Sequence, residues 1–145
     1  ATLTACLFAA GAWTPSRAGA LLWPLPGGAA APGVALRDPD GRLVDPFLAA
    51  EDKAAVVFIF ASVECPVSNR YAPTVQRLFA TYAARNVAFW LVYPNPGDTP
   101  QAVRAHLVDY GYPVHALLDP GHELVKREGV TITPEAAVFD RAPRQ

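Results

Sequence analysis

The residue best placed for covalent chemistry is Cys65, in the stretch FIFASVECPVSNRYAP, residues 58–73. It follows an apolar run and precedes Pro66, which suits the first position of a helix because its missing N–H is not needed there. A thiol at a strand-to-helix junction faces the unpaired amides and the positive dipole end of that helix. Both favour thiolate over thiol and make the sulfur a usable nucleophile. The competing expectation is an inert buried cysteine, because free cysteine also packs as a small hydrophobe. Glu64, next in the chain, would raise the thiol pKa if its carboxylate pointed at the sulfur. His106, His115 and His122 fall on a helix, a strand and a turn without H-x-x-x-H spacing, so no metal site is expected. Neither G-x-G-x-x-G nor a P-loop sequence occurs, so no nucleotide cofactor is expected either.

Such a junction needs a sheet behind it. AVVFIF, residues 55–60, is a continuous β-branched and aromatic run, the pattern of a strand buried on both faces. Val75, Leu78, Phe79 and Tyr82 recur at helical spacing, which predicts one helix over 66–84 with that face inward. VAFWLVY, residues 87–93, reads as a second buried strand. Asp98-Thr99-Pro100 supplies a cap and a first-turn proline for a helix to Tyr110, with Gly111 as its stop. Val114 to Leu118 is a third strand, followed by the turn Asp119-Pro120-Gly121 and a short helix to Glu128, with Gly129 beyond it. Glu135 to Phe139 is a last short strand. Upstream, Val34-Ala35-Leu36 and Leu43-Val44 flank Asp38-Pro39-Asp40-Gly41, a hairpin turn signal. Strands alternating with helices specify an α/β sheet with parallel neighbours.

The chain has 145 residues, 52% hydrophobic and 17% charged, enough for one domain with a core and unlike a disordered chain. Twelve basic residues against 13 acidic ones, with no block of like charge, argue against nucleic acid or a polybasic membrane surface as partner. Cys6 and Cys65 are too few for a disulfide framework or a four-thiolate zinc site. Residues 1–20 begin ATLTACLFAAGAW and reach Ala18 and Ala20, an A-x-A cleavage pattern behind a short apolar region. We expect an export signal here, and hence an exported, periplasmic or otherwise extracytoplasmic protein; a hydrophobic N-terminal helix is the alternative. Leu3-Thr4-Ala5-Cys6 also resembles a lipoprotein signal, and lipidation at Cys6 would be the one route to a membrane. Residues 21–33 are rich in Pro, Gly and Ala and read as a linker, leaving a domain over 34–140. A strand ending at Asp140 without a following partner leaves an open edge, so a closing strand and helix are expected to be absent from this chain.

The residues around Cys65 resemble the thioredoxin-like superfamily, and more closely its redoxin branch, which includes the alkyl hydroperoxide reductase C (peroxiredoxin-like) proteins. Thioredoxins carry W-C-G-P-C with an Ala-Pro pair that puts a proline eight residues after the first cysteine; Cys65 and Ala72-Pro73 reproduce that spacing. A proline inside a helix costs about 3 kcal/mol, so its presence suggests a specific kink. Gly129-Val130-Thr131-Ile132-Thr133-Pro134, followed by EAAVF, is similar to the family's cis-proline loop. The resemblance covers about residues 31–140, with CPVSNRYAP, LVYPNP and VTITPEAAVFD its most telling phrases. It implies a thioredoxin-like fold: a central mixed sheet flanked by helices, an N-terminal hairpin and an inserted strand-helix unit between Cys65 and Pro134. It also implies that Thr133 and Pro134 shape a substrate groove against Cys65.

Departures from the family pattern shape the expected chemistry. Ser68 stands where the second cysteine of C-x-x-C would be, so once residues 1–20 are removed no second thiol remains for an internal disulfide, and Ser68 is left to donate a hydrogen bond to the thiolate, or to serve as an ordinary first-turn polar residue. The peroxiredoxin pattern P-x-x-x-T-x-x-C is half present, with Ser62 at the threonine and Phe58 at the proline. No arginine lies between Thr131 and Glu135, and Arg70 and Arg77 read as surface charges. Asn69 stands where copper-delivering relatives carry a second cysteine. The resulting expectation is a thiol-based oxidoreductase, an antioxidant redoxin in which Cys65 attacks peroxide or a protein disulfide and an external thiol, free or on a partner protein, reduces the product. Ser62, Pro66, Ser68, Thr133 and Pro134 support it. The alternative is a non-catalytic binding or scaffold domain of the same fold.

Overall fold

A computed structural model describes residues 33–140. In chain order they form β1 (Leu36–Arg37), β2 (Leu43–Val44), β3 (Ala55–Phe60), α1 (Pro66–Arg70), α2 (Ala72–Tyr82), a 3₁₀ turn (Ala83–Arg85), β4 (Val87–Tyr93), α3 (Pro100–Asp109), β5 (His115–Leu118), α4 (Glu123–Glu128) and β6 (Glu135–Asp140). The export signal and most of the linker expected before residue 33 lie outside the described residues.

The strands make one mixed sheet of order β2-β1-β5-β4-β3-β6. β3 pairs in parallel with β4, and β4 with β5, each pair joined by a helical crossover. β6 runs antiparallel to β3, with Ala55 opposite Asp140 and Phe60 opposite Glu135. The predicted hairpin forms, Leu36 opposite Val44, and Gly41 takes the positive φ of 84° that its turn requires. Through Arg37 and Leu118 the hairpin joins β5.

Side chains alternate across the sheet and create two cores. On one face Val56, Phe58 and Phe60 of β3 meet Trp90 and Val92 of β4, with Leu124 of α4 and Phe47 above them. Phe47 comes from a loop that no periodicity marked. Its ring lies 5.2 Å from Phe58 and 5.4 Å from Phe139, edge-on to the latter. On the other face Ala72 and Val75 of α2 and Val103 of α3 cover Phe89, Leu91 and Tyr93.

α4 owes its start to Asp119, whose side chain is fully buried. Its Oδ1 accepts the Glu123 amide at 2.7 Å, and Oδ2 accepts those of Leu124 and Val125 at 3.0 Å each. Gly129 ends the helix at φ 70°, with the Val130 amide returning to the Val125 carbonyl. Three orphan amides depend on one carboxylate, so Asp119→Ala is expected to cost about 2 kcal/mol, measured as a lower denaturant midpoint at unchanged m.

Several expectations need correction. The helix predicted over 66–84 is broken at Tyr71, which closes α1 and opens α2. Pro73 has no N–H to offer the Asn69 carbonyl, and Tyr71 donates to Asn69 and Ser68 instead. Leu78 and Tyr82, expected on a buried face, are 41% and 40% exposed; Val75 and Phe79 carry the packing. β3 is not buried on both faces: Val57 and Ile59 are only half-buried, because they border an open groove between α2 and β6. The cap expected from Asp98-Thr99-Pro100 does form, on Thr99, whose Oγ1 accepts the Ala102 amide at 3.2 Å, with Pro100 in the first turn.

Candidate active site

β3 ends at Phe60, and the turn Ser62–Glu64 carries the chain onto α1, for which Cys65 is the N-cap residue. The cysteine amide donates to the Ser62 carbonyl at 3.2 Å, and the cysteine carbonyl accepts the Asn69 amide at 3.0 Å. Its φ of −81° and ψ of 109° turn the side chain over the helix start. There Sγ accepts the Ser68 amide at 3.5 Å. Pro66 opens the helix without presenting an N–H of its own.

The thiol pKa lies below its ordinary value. The Ser68 hydroxyl is the main cause and the Ser68 amide the next; partial burial opposes them, and the Val67 amide adds to them. Ser68 is 2% exposed and its hydroxyl has no well-aligned partner among protein atoms. An anionic sulfur would give that buried donor an acceptor, while a neutral thiol leaves it stranded. Glu64 is exposed and is not among the groups acting on the sulfur; its charge reaches Asp98 instead.

Opposite the sulfur stands the loop before β6. The Thr133–Pro134 peptide bond is cis, and the Thr133 carbonyl lies 3.8 Å from Sγ, within reach of the neutral thiol as donor. Pro134 also borders the groove, a cavity of about 320 Å³ walled by Val57 and Ile59 of β3, Tyr71 and Leu78 near and on α2, and Ala136 of β6. Cys65 itself is partly exposed. Val67, Tyr71 and Ile132, all strongly exposed apolar side chains, lie next to or near it in the chain or on the facing loop.

Ser62 is turned to a different task from the one its position suggested. Its hydroxyl lies 3.4 Å from Asp98 Oδ1, which also accepts the Val63 amide at 3.3 Å. Asp98 is buried and its Oδ2 has no partner. Burial raises its carboxyl pKa, with the Ser62 and Val63 hydrogen bonds opposing. The Val63 carbonyl is held too, by Asn69 Nδ2 at 3.1 Å. Asn69 Oδ1 lies 2.7 Å from His106 Nε2, and His106 Nδ1 lies 2.8 Å from the Tyr93 hydroxyl. Burial lowers the His106 pKa, with Asp98 and Asp109 opposing.

The structure thus brings Cys65, Pro66, Ser68, Thr133 and Pro134 together and places Ser62 on the supporting turn. Sequence reading missed Asp98, Asn69, His106 and Tyr93 as a group. The spacing of His106 speaks to metal ligation and not to this contact, and Asp98 stands in the phrase that caps α3. The available signal was a histidine at an inward position of an amphipathic helix, where a leucine would pack without any need for partners. Among the described residues, no three or more His, Cys, Asp or Glu side chains gather within reach of one metal ion, and no helix is long and apolar enough to cross a membrane.

Solved structures share this architecture. An uncharacterized conserved protein from Geobacillus kaustophilus is 30% identical with a TM-score of 0.66 over 77% of this chain. A thioredoxin-like protein from Aeropyrum pernix is 21% identical with a TM-score of 0.60, covering 74% of each chain. A secreted disulfide oxidoreductase from Mycobacterium tuberculosis, homologous to E. coli DsbE, is 17% identical with a TM-score of 0.59 over 76% of this chain and 84% of its own. The chain spans 61% of the length of the Geobacillus protein. No curated protein matches the sequence. The fold is thioredoxin-like, and the sequence profile named Redoxin matches residues 26–145. With the cysteine at the head of its helix and the proline loop facing it, the chain belongs to the Redoxin family.

Proposed function

We propose that the protein is an extracytoplasmic thiol oxidoreductase that works through one cysteine. The observation that carries this reading is the sulfur of Cys65, partly exposed, facing the Ser68 amide at 3.5 Å, with a depressed pKa. In the reaction, the Cys65 thiolate attacks one sulfur of a substrate disulfide. The S–S bond breaks, a mixed disulfide to Cys65 forms, and the departing sulfur leaves as a thiolate that takes a proton from water. A second, external thiolate then attacks the mixed disulfide and returns Cys65 to its anionic form. Thr133 and Pro134 border the face on which the partner lies, and Ser68 stabilises the anion at the start and end of the cycle.

A disulfide in a polypeptide suits the site better than a peroxide. The surroundings of the sulfur are apolar and exposed, as a peptide contact requires. The Ser62 hydroxyl, placed by the family pattern to meet a peroxide oxygen, is held by Asp98. Extracytoplasmic placement draws on the apolar segment ending in Ala18 and Ala20 and on the secreted character of the Mycobacterium protein.

The test is the rate of Cys65 alkylation by iodoacetamide against pH, in a Cys6→Ser background. We expect its midpoint below the ~8.5 of an ordinary thiol. Incubation with glutathione disulfide should then yield a mixed disulfide that Cys65→Ser does not form. A midpoint at or above the ordinary value, with no adduct, would leave a scaffold domain rather than an enzyme.

A further inference from the structure

The backbone of Val63, two residues before the sulfur, is held at both its N–H and its C=O. Its N–H is taken by Asp98 and its C=O by Asn69, from the loop before α3 and from α1 respectively. The second grip is the end of a buried chain of hydrogen bonds whose direction follows from chemistry. A carbonyl can only accept, so the nitrogen of the Asn69 amide faces Val63 and its oxygen faces His106. His106 Nε2 must therefore carry a proton. In a neutral ring Nδ1 then has a lone pair, and it accepts from the Tyr93 hydroxyl. Burial keeps both ends of this arrangement in the required form, lowering the His106 pKa and raising that of Tyr93. His106 is 3% exposed, between the rings of Tyr93, Tyr110 and Tyr112. The charged groups that reach it are Asp98 and Asp109.

A buried imidazole is an expensive way to fill a core, since each ring nitrogen must find a partner. Here the partners lead to one place, the turn that presents Cys65. We infer that Tyr93, His106 and Asn69 are positioning residues for the nucleophile: through the Val63 carbonyl they hold the 62–65 turn so that Sγ stays over the Ser68 amide and hydroxyl. Asn69 is the link on which this depends. Its side chain secures the turn before the cysteine, while its backbone amide binds the cysteine carbonyl from the helix after it. Sections of chain on either side of the sulfur are thereby fixed to one another and to β4 and α3. The hydrogen bonds that lower the thiol pKa weaken steeply as they lengthen or lose alignment, so a loosened turn raises that pKa even when the fold survives.

This inference rests on the reading of Cys65 as a reactive thiol, and one experiment separates the two. The alkylation-pH profile is measured for the Cys6→Ser protein and for Asn69→Ala, His106→Phe, His106→Gln and Tyr93→Phe made in it, each with a thermal melt. Asn69→Ala and His106→Phe are expected to move the midpoint upward by about one pH unit, a loss of rate that approaches tenfold at pH values well below both midpoints. Tyr93→Phe loses one oxygen and keeps its ring, so it answers where the His106 variant does not fold; its expected loss is on the order of threefold. His106→Gln, which can accept and donate along the same line, should recover part of the loss. Leu124→Ala opens a cavity in the opposite core and serves as the stability control: it lowers the melting temperature and leaves the profile in place. A depressed parent midpoint that Asn69→Ala and Tyr93→Phe leave unmoved overturns the positioning role alone. A parent midpoint at the ordinary thiol value overturns that role together with the proposed chemistry.

Discussion

Ser68→Cys is expected to give the protein an internal disulfide, which the parent lacks, and a faster turnover that no longer waits for an external thiol. Cys65 caps α1 and Ser68 lies three residues on in its first turn, a spacing that brings the two Cα atoms within the roughly 4.4–6.8 Å that a disulfide spans. The Ser68 amide already lies 3.5 Å from Sγ. The serine hydroxyl has no other partner, so a thiol in its place strands no buried group, while the Cys65 pKa loses the largest of the influences that lower it. With two thiols, the mixed disulfide formed at Cys65 is released by attack from position 68 rather than by an external thiol. Mass spectrometry after mild oxidation should show the loss of two hydrogens. Insulin reduction by dithiothreitol should be accelerated by at least about tenfold over the parent. If Cys65 still alkylates normally but no internal bond forms on oxidation, the side chain at 68 does not share the sulfur's side of the turn, and the role given to its hydroxyl falls with it.

Phe58→Ala should be the most damaging single truncation for stability. Phe58 is 0% exposed in β3, the strand hydrogen-bonded on both sides, and its ring meets Phe47 at 5.2 Å. Deleting a buried phenyl ring costs about 4 kcal/mol, or roughly 15 °C in melting temperature for a domain of this size. Phe58→Leu keeps most of the volume and should cost about 1.5 kcal/mol. The damage falls on the core opposite the groove, so what remains folded should alkylate at Cys65 with the parent profile. A loss of less than about 1 kcal/mol for the alanine variant would mean that Phe47 and Phe139 collapse into the space, and that the loop bearing Phe47 is softer than its ring contacts suggest.

These two positions also mark what the sequence made legible. Phe58 sits in a run whose composition announces a buried strand, and the junction from that strand to Cys65 could be read from Pro66, Pro73 and the distant Thr133-Pro134. Local chemistry writes such features, because prolines, glycines and β-branched runs restrict the backbone wherever they occur. Asp98, His106 and Asn69 were not readable in the same way. Their contacts join residues 35 to 37 positions apart, and the crossover from β4 through α3 decides that they meet. A continuous apolar run likewise cannot say which of its faces is covered, which is why Val57 and Ile59 were expected deep inside and instead border a groove. The break at Tyr71 lay between the two. Pro73 predicted a disturbance, but a single helix with a bend and two helices with a joint differ only in whether the Asn69 carbonyl finds another donor.

The means by which Cys65 is made acidic has an evolutionary corollary. Its pKa is set by the hydroxyl and amide of one serine and a neighbouring amide, with no lysine or arginine drawn into the task. Ser68 is buried at the helix start, apart from the side chains that decorate the surface. On the proposed function, the exposed residues around the sulfur, such as Val67, Tyr71 and Ile132, can therefore drift toward new partners while the reactivity of the sulfur is kept. Diversification of clientele and conservation of chemistry become separable in this small domain, because they are written on different atoms.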